Sequence, residues 1–393
     1  MVVETTEYNI DFPYKGKNVK IRVFDHHCLG SSPKVTILNA HGFCGSGRNH
    51  PHFLRHLCDT LKARCISFSQ IGHGGSFGFD DKKLTGSCLG IDNWIDVMVH
   101  VHNHVIMASS ELASLPHFTL GHSLGGGLVL LLAKRHPECH KDGGVISMAP
   151  VYTIGDVIKN PITMKAALPM LSFFAPSFHI ERPAGEFTPD PKLLPAPCDD
   201  KLYCRLVPAK SCMMPSFVFP KAIKKMIGDI ETNEIKRTKQ WKRDLEEEPE
   251  EDVIKALSKG SLSKPVYSHL LTHSASISPA LLLVQGTVDS QCLYSGGQEL
   301  FGKLNDIWKG ECNLYVDQRK DMEKHMFSRG LSLLEKWTHK KRSSCDEYYM
   351  KHAYKFLPLD GCEHDIMLDP RWKTFATSIA EWIKNILKIS KMC

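Results

Sequence analysis

A serine between glycines, Gly121-His122-Ser123-Leu124-Gly125, is the feature of this sequence that most directly indicates chemistry. It follows the apolar run Phe118–Leu120 and precedes a helical stretch. A turn this tight between a strand and a helix projects the serine hydroxyl above the sheet, and side chains at the glycine positions would collide with neighbouring backbone. The pattern therefore predicts Ser123 as a nucleophile, and the amino end of the helix favours the negative charge that develops there.

A serine hydroxyl is a poor nucleophile without a base, so a histidine and an acid must accompany it. In this arrangement they follow in the order serine, acid, histidine, each just past a strand. Asp289 follows the apolar run Leu281–Val284 after a glycine turn, and His364 lies between the last predicted strand and the last predicted helix. We predict Asp289 as the acid and His364 as the base. Asp365 and Asp369 are rival acids, but both are too near His364 in sequence to reach its far nitrogen easily.

Two backbone amides are predicted to complete the site as an oxyanion hole. The segment His41-Gly42-Phe43 follows the predicted strand Val35–Leu38, and Leu124 follows the serine. The N–H groups of Phe43 and Leu124 can point at one oxygen, where each donor stabilises a tetrahedral intermediate by roughly 3–4 kcal/mol. The side chain of His41 is expected to brace this loop rather than to take part in the chemistry.

The hydrophobic pattern predicts the elements that position these residues. Two alternating segments, Tyr8–Phe12 and Val19–Phe24, predict an opening hairpin. Short apolar runs then alternate with helical stretches, which is typical of a mainly parallel central sheet with helices on both faces. The predicted strands are Val35–Leu38, Cys65–Phe68, Phe118–Leu120, Val145–Met148, Leu281–Val284 and Ala353–Leu357. The predicted helices are Phe53–Lys62, Asp92–Met107, Leu124–Arg135, Tyr294–Leu304 and Trp372–Ile389, the last with Asp369 as its N-cap and Pro370 at its first position.

This alternation is interrupted twice. Residues 151–278 contain no convincing core strand and are too many for a connecting loop, so we predict a large, mostly helical cap or lid inserted into the core. A second surface insertion is predicted at about 306–352. The α/β core is accordingly predicted over 1–150 and 279–393.

Composition and charge exclude several classes of function. The chain of 393 residues is 42% hydrophobic with a formal charge of +6, so it is globular and lacks the concentrated basic face of a nucleic-acid-binding protein. The segment Gly72-His73-Gly74-Gly75-Ser76 lacks the spacing and the lysine of a phosphate-binding loop. The 14 cysteines contain no matched C-x-x-C pairs, so they predict neither a zinc finger nor a disulfide framework, and they fit a reducing compartment such as the cytoplasm. No signal segment or membrane span is predicted.

At these residues the chain resembles the α/β-hydrolase superfamily, and within it the group of monoacylglycerol lipases, lysophospholipases and serine-aminopeptidase-like enzymes. The resemblance covers about residues 8–150 and 279–388, and Ser69 stands where the family usually has an aspartate. It implies an α/β-hydrolase fold, a Ser-His-Asp triad, no metal or organic cofactor, and a monoacyl lipid such as a monoacylglycerol or lysophospholipid as substrate. The matching segments are His41-Gly42-Phe43, Gly72–Ser76 with Gly78, Trp94 and Asp96, Gly121–Gly126, Gly286 and Asp289, His364-Asp365, and Trp382.

The expected reaction is hydrolysis of a carboxylic ester through an acyl-enzyme. Two alternatives stay open: an amidase or aminopeptidase with the same triad, and a non-catalytic ligand-binding relative, which the presence of both Ser123 and His364 disfavours. The cap stretch Ala166–Phe174 could line an acyl tunnel, contact a membrane or pack on the core. We expect a cytoplasmic protein that can contact membranes peripherally through its cap. The acyl chain, the substrate-binding residues and the oligomeric state are not predicted.

Overall fold

The computed structural model describes residues 2–81, 83–155, 169–181, 202–204, 206–232, 279–307 and 352–392. The predicted cap is therefore described only in part. The insertion predicted at about 306–352 lies outside the described residues except at its two ends, so the predicted domain boundaries stay predictions.

An eight-stranded sheet in the order β1-β2-β4-β3-β5-β6-β9-β10 forms the core. The opening hairpin β1–β2 is antiparallel, β2 pairs antiparallel with β4, and every further pair is parallel. The predicted hairpin and all six predicted core strands are confirmed, as is the α/β-hydrolase fold class. The strands are β1 Val3–Tyr14, β2 Lys17–Cys28, β3 Val35–Ala40, β4 Ala63–Phe68, β5 His117–His122, β6 Gly144–Met148, β9 Ala280–Gly286 and β10 Tyr354–Leu359.

The central strands are buried along their whole length. Every residue of β3, β5, β6 and β9 is buried, because helices cover both faces of a parallel sheet. This is why these strands have nearly continuous apolar sequences rather than an alternating pattern. The edge strand β10 is buried only at its two ends and is half-buried or exposed between them.

Helices cover both faces and begin close to the predicted positions. The predicted helix Asp92–Met107 is interrupted, because α2 ends at Val101 and a wider π-helical turn, His102–Met107, continues it. The last helix begins at Trp372, so Pro370 lies in the preceding turn rather than at the first helical position. The Asp369 carboxylate accepts the backbone N–H of Arg371 in that turn at 2.8 Å. The helices are α1 Pro51–Leu61, α2 Ile91–Val101, α3 Ser110–Ala113, α4 Leu124–Arg135, α5 169–174, α6 Ala209–Met213, α7 219–232, α8 294–307 and α9 Trp372–Met392.

The described part of the cap combines helices with a small ribbon that the sequence did not predict. Strands β7 His179–Glu181 and β8 Leu206–Pro208 pair antiparallel and are separate from the main sheet. Helix α7 buries Phe219 and Ile223, which lie over Gly127 of α4. A Cβ at position 127 would lie only 3.2 Å from a side-chain carbon of each, which is a tight contact. The glycine therefore sets how closely the cap packs on the core. Within the described ranges, no helix has the length and apolar character needed to cross a membrane.

Candidate active site

Ser123 occupies the turn between β5 and α4 with a backbone φ of 57° and ψ of −117°. Positive φ is unfavourable for a residue with a side chain, so the surrounding turn must hold it there. Glycines on either side make this possible: a Cβ at Gly121 would overlap the Gly125 carbonyl, and one at Gly125 would overlap the Ala40 carbonyl. The predicted elbow geometry is thus present, and the turn packs directly against the end of β3.

The structure brings the three predicted triad residues together from the carboxyl ends of three strands. The Ser123 hydroxyl lies 2.9 Å from Nε2 of His364, and Nδ1 of His364 lies 2.9 Å from Oδ2 of Asp289. The consistent tautomer carries a proton on Nδ1, which donates to the carboxylate, and leaves Nε2 to accept from the hydroxyl. This is the arrangement in which an imidazole can remove the serine proton.

Asp289 is buried and fully engaged by hydrogen-bond donors. Its Oδ1 accepts the backbone N–H groups of Gln291 and Cys292 at 2.9 and 2.8 Å, and its Oδ2 accepts the side-chain amide of Gln285 at 2.7 Å. These contacts fix the carboxylate in the orientation that His364 requires. Sequence analysis missed Gln285, although a glutamine within the buried apolar strand β9 itself indicates that its side chain has a specific hydrogen-bond partner.

The rival acids lie elsewhere. Asp369 pairs with the guanidinium of Arg371 at 2.9 Å, and Asp365 faces His50 at 3.6 Å. The carboxylate that hydrogen-bonds the His364 ring is that of Asp289. The sequence argument that favoured Asp289 therefore agrees with the geometry.

The electrostatic surroundings of His364 favour its protonated form. Burial alone would lower the pKa of His364, but the adjacent Cys292 sulfur and the Asp289 carboxylate outweigh it and raise the pKa well above its ordinary value. A site that stabilises the imidazolium would lower the energy of a step in which His364 took the serine proton.

The loop predicted to carry an oxyanion donor lies against the nucleophile turn. A Cβ at Gly42 would lie 3.4 Å from both the Ser123 Cβ and the His122 carbonyl oxygen. This places the next residue, Phe43, beside the serine. Leu124 is the first residue of α4, where backbone N–H groups have no partner within the helix. Both predicted donors therefore lie beside Ser123.

His41 has the bracing role that was expected of it. Its Nδ1 donates to the Gly42 carbonyl at 2.7 Å, and its Nε2 accepts the backbone N–H of Gln70 at 3.1 Å. Burial lowers the pKa of His41 to about 3, so the ring is neutral and can accept at Nε2. The ring thus fixes the loop that presents Phe43.

His122 is a second residue whose role sequence analysis missed. Its Nε2 donates to the His364 backbone carbonyl at 2.8 Å, and the two rings lie 4.9 Å apart. This bond joins the turn that carries Ser123 to the loop that carries His364. No sequence signal identifies it, because the pairing joins residues 242 positions apart.

Comparison with known proteins gives consistent matches. The family model for serine aminopeptidases of type S33 matches residues 31–214. A Schizosaccharomyces pombe protein described as "Putative monoglyceride lipase" is 30% identical over 146 residues, 37% of either chain. The Mus musculus monoglyceride lipase is 26% identical over 155 residues, 38% of this chain and 46% of that one. The matches thus span less than half the length of these curated relatives.

Among solved structures, a soluble variant of the Saccharomyces cerevisiae monoglyceride lipase, in complex with a substrate analogue, is similar over 98% of this chain and 96% of its own. Its sequence identity is 12% and its TM-score is 0.60. At this identity the likeness concerns the fold.

Proposed function

We propose that this chain, which resembles the monoacylglycerol lipases of the α/β-hydrolase superfamily in part of its sequence and in its fold, is a serine hydrolase that cleaves carboxylic esters. The observation that carries the proposal is the continuous hydrogen-bonded series from the Ser123 hydroxyl through His364 to Asp289, with both distances at 2.9 Å.

The proposed reaction has two stages. His364 takes the Ser123 proton at Nε2 while the serine oxygen attacks the ester carbonyl, and the amides of Phe43 and Leu124 stabilise the oxyanion. His364 then protonates the leaving alcohol, and the acyl group remains on Ser123. A water molecule, deprotonated by the same histidine, hydrolyses that acyl-enzyme. Asp289 holds the imidazole in its tautomer throughout, and none of these steps needs a metal or an organic cofactor.

We propose a monoacyl lipid as the substrate. The names of the two curated relatives support this class, and the cap offers an apolar surface. Phe173 and Phe174 in α5 are 79% and 75% exposed, and Met170 is exposed as well. Residues 166–168 of this predicted stretch lie outside the described part. Exposed apolar side chains of this kind support contact with a lipid aggregate or membrane surface rather than packing on the core.

The proposed setting is the cytoplasm, with peripheral contact to membranes through the cap. The ten cysteines within the described ranges are thiols rather than disulfides, which supports a reducing compartment.

The nucleophile is tested with Ser123→Ala and a fluorophosphonate probe. We expect the substitution to abolish both labelling and hydrolysis of p-nitrophenyl esters, because no other group in the proposed reaction attacks the carbonyl. The exposed Ser110 provides the matched control, since Ser110→Ala should keep full labelling. Full labelling of Ser123→Ala would contradict the assignment.

The substrate class is tested with a panel of monoacylglycerols of increasing chain length, lysophospholipids and aminoacyl-naphthylamides. We expect kcat/KM to rise from acetyl to long-chain monoacyl esters. The aminopeptidase alternative, which the name of the matching family model supports, predicts that the amides are cleaved best. A sharp preference for acetyl esters would contradict the lipid substrate while leaving the esterase proposal intact.

A further inference from the structure

Three donor groups converge behind the base from separate parts of the chain. His50 directly precedes α1, His122 ends β5, and Asp365 follows His364. One ligand atom from each lies within 4.8 Å of the other two, and this is the single group of that kind within the described ranges. His50 and His122 are each 7% exposed, and the Asp365 side chain is 15% exposed. The proposed ester hydrolysis uses none of these three side chains as acid, base or nucleophile.

Polar atoms of this group lack hydrogen-bond partners although they are buried. Oδ1 of Asp365, the carboxylate atom that faces His50 Nε2, has none within the described structure, and the other ring nitrogen of His50, Nδ1, also has none. The nearest approach, between His50 Nε2 and Asp365 Oδ1, is 3.6 Å and exceeds hydrogen-bond length. Native proteins pair nearly all buried polar atoms, so atoms of this kind indicate a bound species such as water or an ion.

The donor chemistry favours a borderline transition-metal cation. His50 and His122 each offer an imidazole nitrogen, and Asp365 offers a carboxylate oxygen, all within 4.8 Å of one another. Imidazole is a ligand that zinc and similar cations accept readily. Two imidazoles and one carboxylate suit zinc, whereas calcium and magnesium require mainly oxygen ligands.

His122 also has the outer partner that is typical of a metal-binding histidine. Its Nε2–H donates to the His364 carbonyl at 2.8 Å, which fixes the tautomer and leaves the lone pair on Nδ1. The backbone of His50 is left-handed, with φ 56° and ψ 46°, and its side chain does not cap α1. Its imidazole is thus held in the cluster rather than used at the helix end.

We propose that His50, His122 and Asp365 bind one zinc ion, with water in the remaining position. Zinc–ligand bonds of about 2.0–2.2 Å place tetrahedral donors roughly 3.3–3.5 Å apart. The 3.6 Å between His50 Nε2 and Asp365 Oδ1 nearly fits this spacing, whereas the other separations, at most 4.8 Å, need to shorten by up to about 1.5 Å. The ion would join the turn that carries Ser123 to the loop that carries His364.

The test is calorimetric titration of the full chain, freed of metal with a chelator, with ZnCl₂. We expect one tight binding event, an absorption spectrum of tetrahedral cobalt when Co²⁺ replaces zinc, and no binding of Ca²⁺. His50→Asn and Asp365→Asn should each weaken zinc binding by at least about 100-fold, more than removal of an outer partner of a ligand usually does. Asparagine suits position 50 because it tolerates left-handed backbone.

The matched control is His104→Asn. His100 and His104 stack at 3.7 Å on the surface and are the obvious competing pair of imidazoles. This variant should keep the tight event. The proposal is overturned by absence of tight binding, by binding that survives both His50→Asn and Asp365→Asn, or by binding that His104→Asn or thiol alkylation removes. If neither site variant folds, anomalous scattering at the zinc edge in wild-type crystals decides between the cluster and another location. The measurement involves no substrate, so it is independent of the proposed function.

Discussion

Acid should destabilise this protein well before its carboxylates are protonated, because the core buries several uncharged histidines. Burial lowers the pKa of five of them to about 3 or 4, against an ordinary value of 6.5, namely His26, His41, His50, His73 and His140. The unfolded chain exposes these rings and binds protons below about pH 6.5, whereas the folded chain does not. Each therefore contributes stability that is complete above pH 6.5 and is lost as the pH falls towards 4.

The size of the effect follows from the number of rings. As the pH falls from 7.5 to 5.5, each such histidine lowers the free energy of unfolding by about 1.4 kcal/mol. His364 has the opposite sign: its pKa is raised, so its contribution is present below pH 6.5 and is lost as the pH rises through that raised value. Over this pH range the contribution of His364 cancels about the loss from one of the five buried histidines. The net loss is at least about 5 kcal/mol, because burial also lowers the pKa of five further histidines, His56, His100, His102, His117 and His122. This is a large part of the roughly 5–15 kcal/mol that holds a typical domain folded.

The assay is urea unfolding, followed by intrinsic fluorescence in buffer with a chelator, at several pH values between 5.5 and 7.5. The slope of unfolding free energy against pH gives the proton uptake, which we expect to reach at least about four near pH 5.5, where His364 is protonated in both states. His140→Gln, which keeps an amide near Thr119, should remove about one proton from this uptake whatever it does to stability at pH 7.5. A slope near zero over this range, or an unchanged slope in His140→Gln, would refute the reasoning.

Two further predictions concern the proposed site and its turn. Asp289→Asn should reduce kcat by about 10⁴-fold and move the acidic limb of the pH–rate profile to lower pH, because the carboxylate that raises the pKa of His364 is gone; a limb that stays in place would contradict the electrostatic account. Gly125→Ala should lower the free energy of unfolding by about 1–3 kcal/mol and slow fluorophosphonate labelling, since the new Cβ overlaps the Ala40 carbonyl. Gly228→Ala in α7 is the matched control, because a Cβ there would meet no neighbouring atom within 4 Å. It should raise the free energy of unfolding by about 0.5–1 kcal/mol. Equal urea midpoints for the two glycine variants would contradict the packing argument.

The sequence was most informative where burial or a tight turn leaves few choices. Apolar runs such as Val145–Met148 and Leu281–Val284 identified core strands because those strands are covered on both faces. The elbow at Ser123 was recognisable because only glycine fits on either side of it. Strand order then predicted which acid and which histidine would lie beside the serine.

Contacts between distant loops were not predictable in this way. The bond from His122 to the His364 carbonyl and the approach of His50 to Asp365 depend on how separate loops meet at one edge of the sheet. The ribbon β7–β8 has three residues per strand, which is too short to show a periodicity. Gln285 was overlooked because its strand satisfies an apolar pattern without it, although its amide orients Asp289.

The position of β9 between β6 and β10 has a consequence for synthesis of the chain. Strand β6 ends at Met148, and its sheet partner β9 begins only at Ala280. At about 5–20 residues per second, the ribosome needs on the order of ten seconds to make the segment between them. During that interval the edge of β6 has unpaired backbone groups, a state in which nascent sheets are prone to mispair. His364, the proposed base, is made later still, so the nascent protein can fold much of its sheet before the proposed triad can be complete.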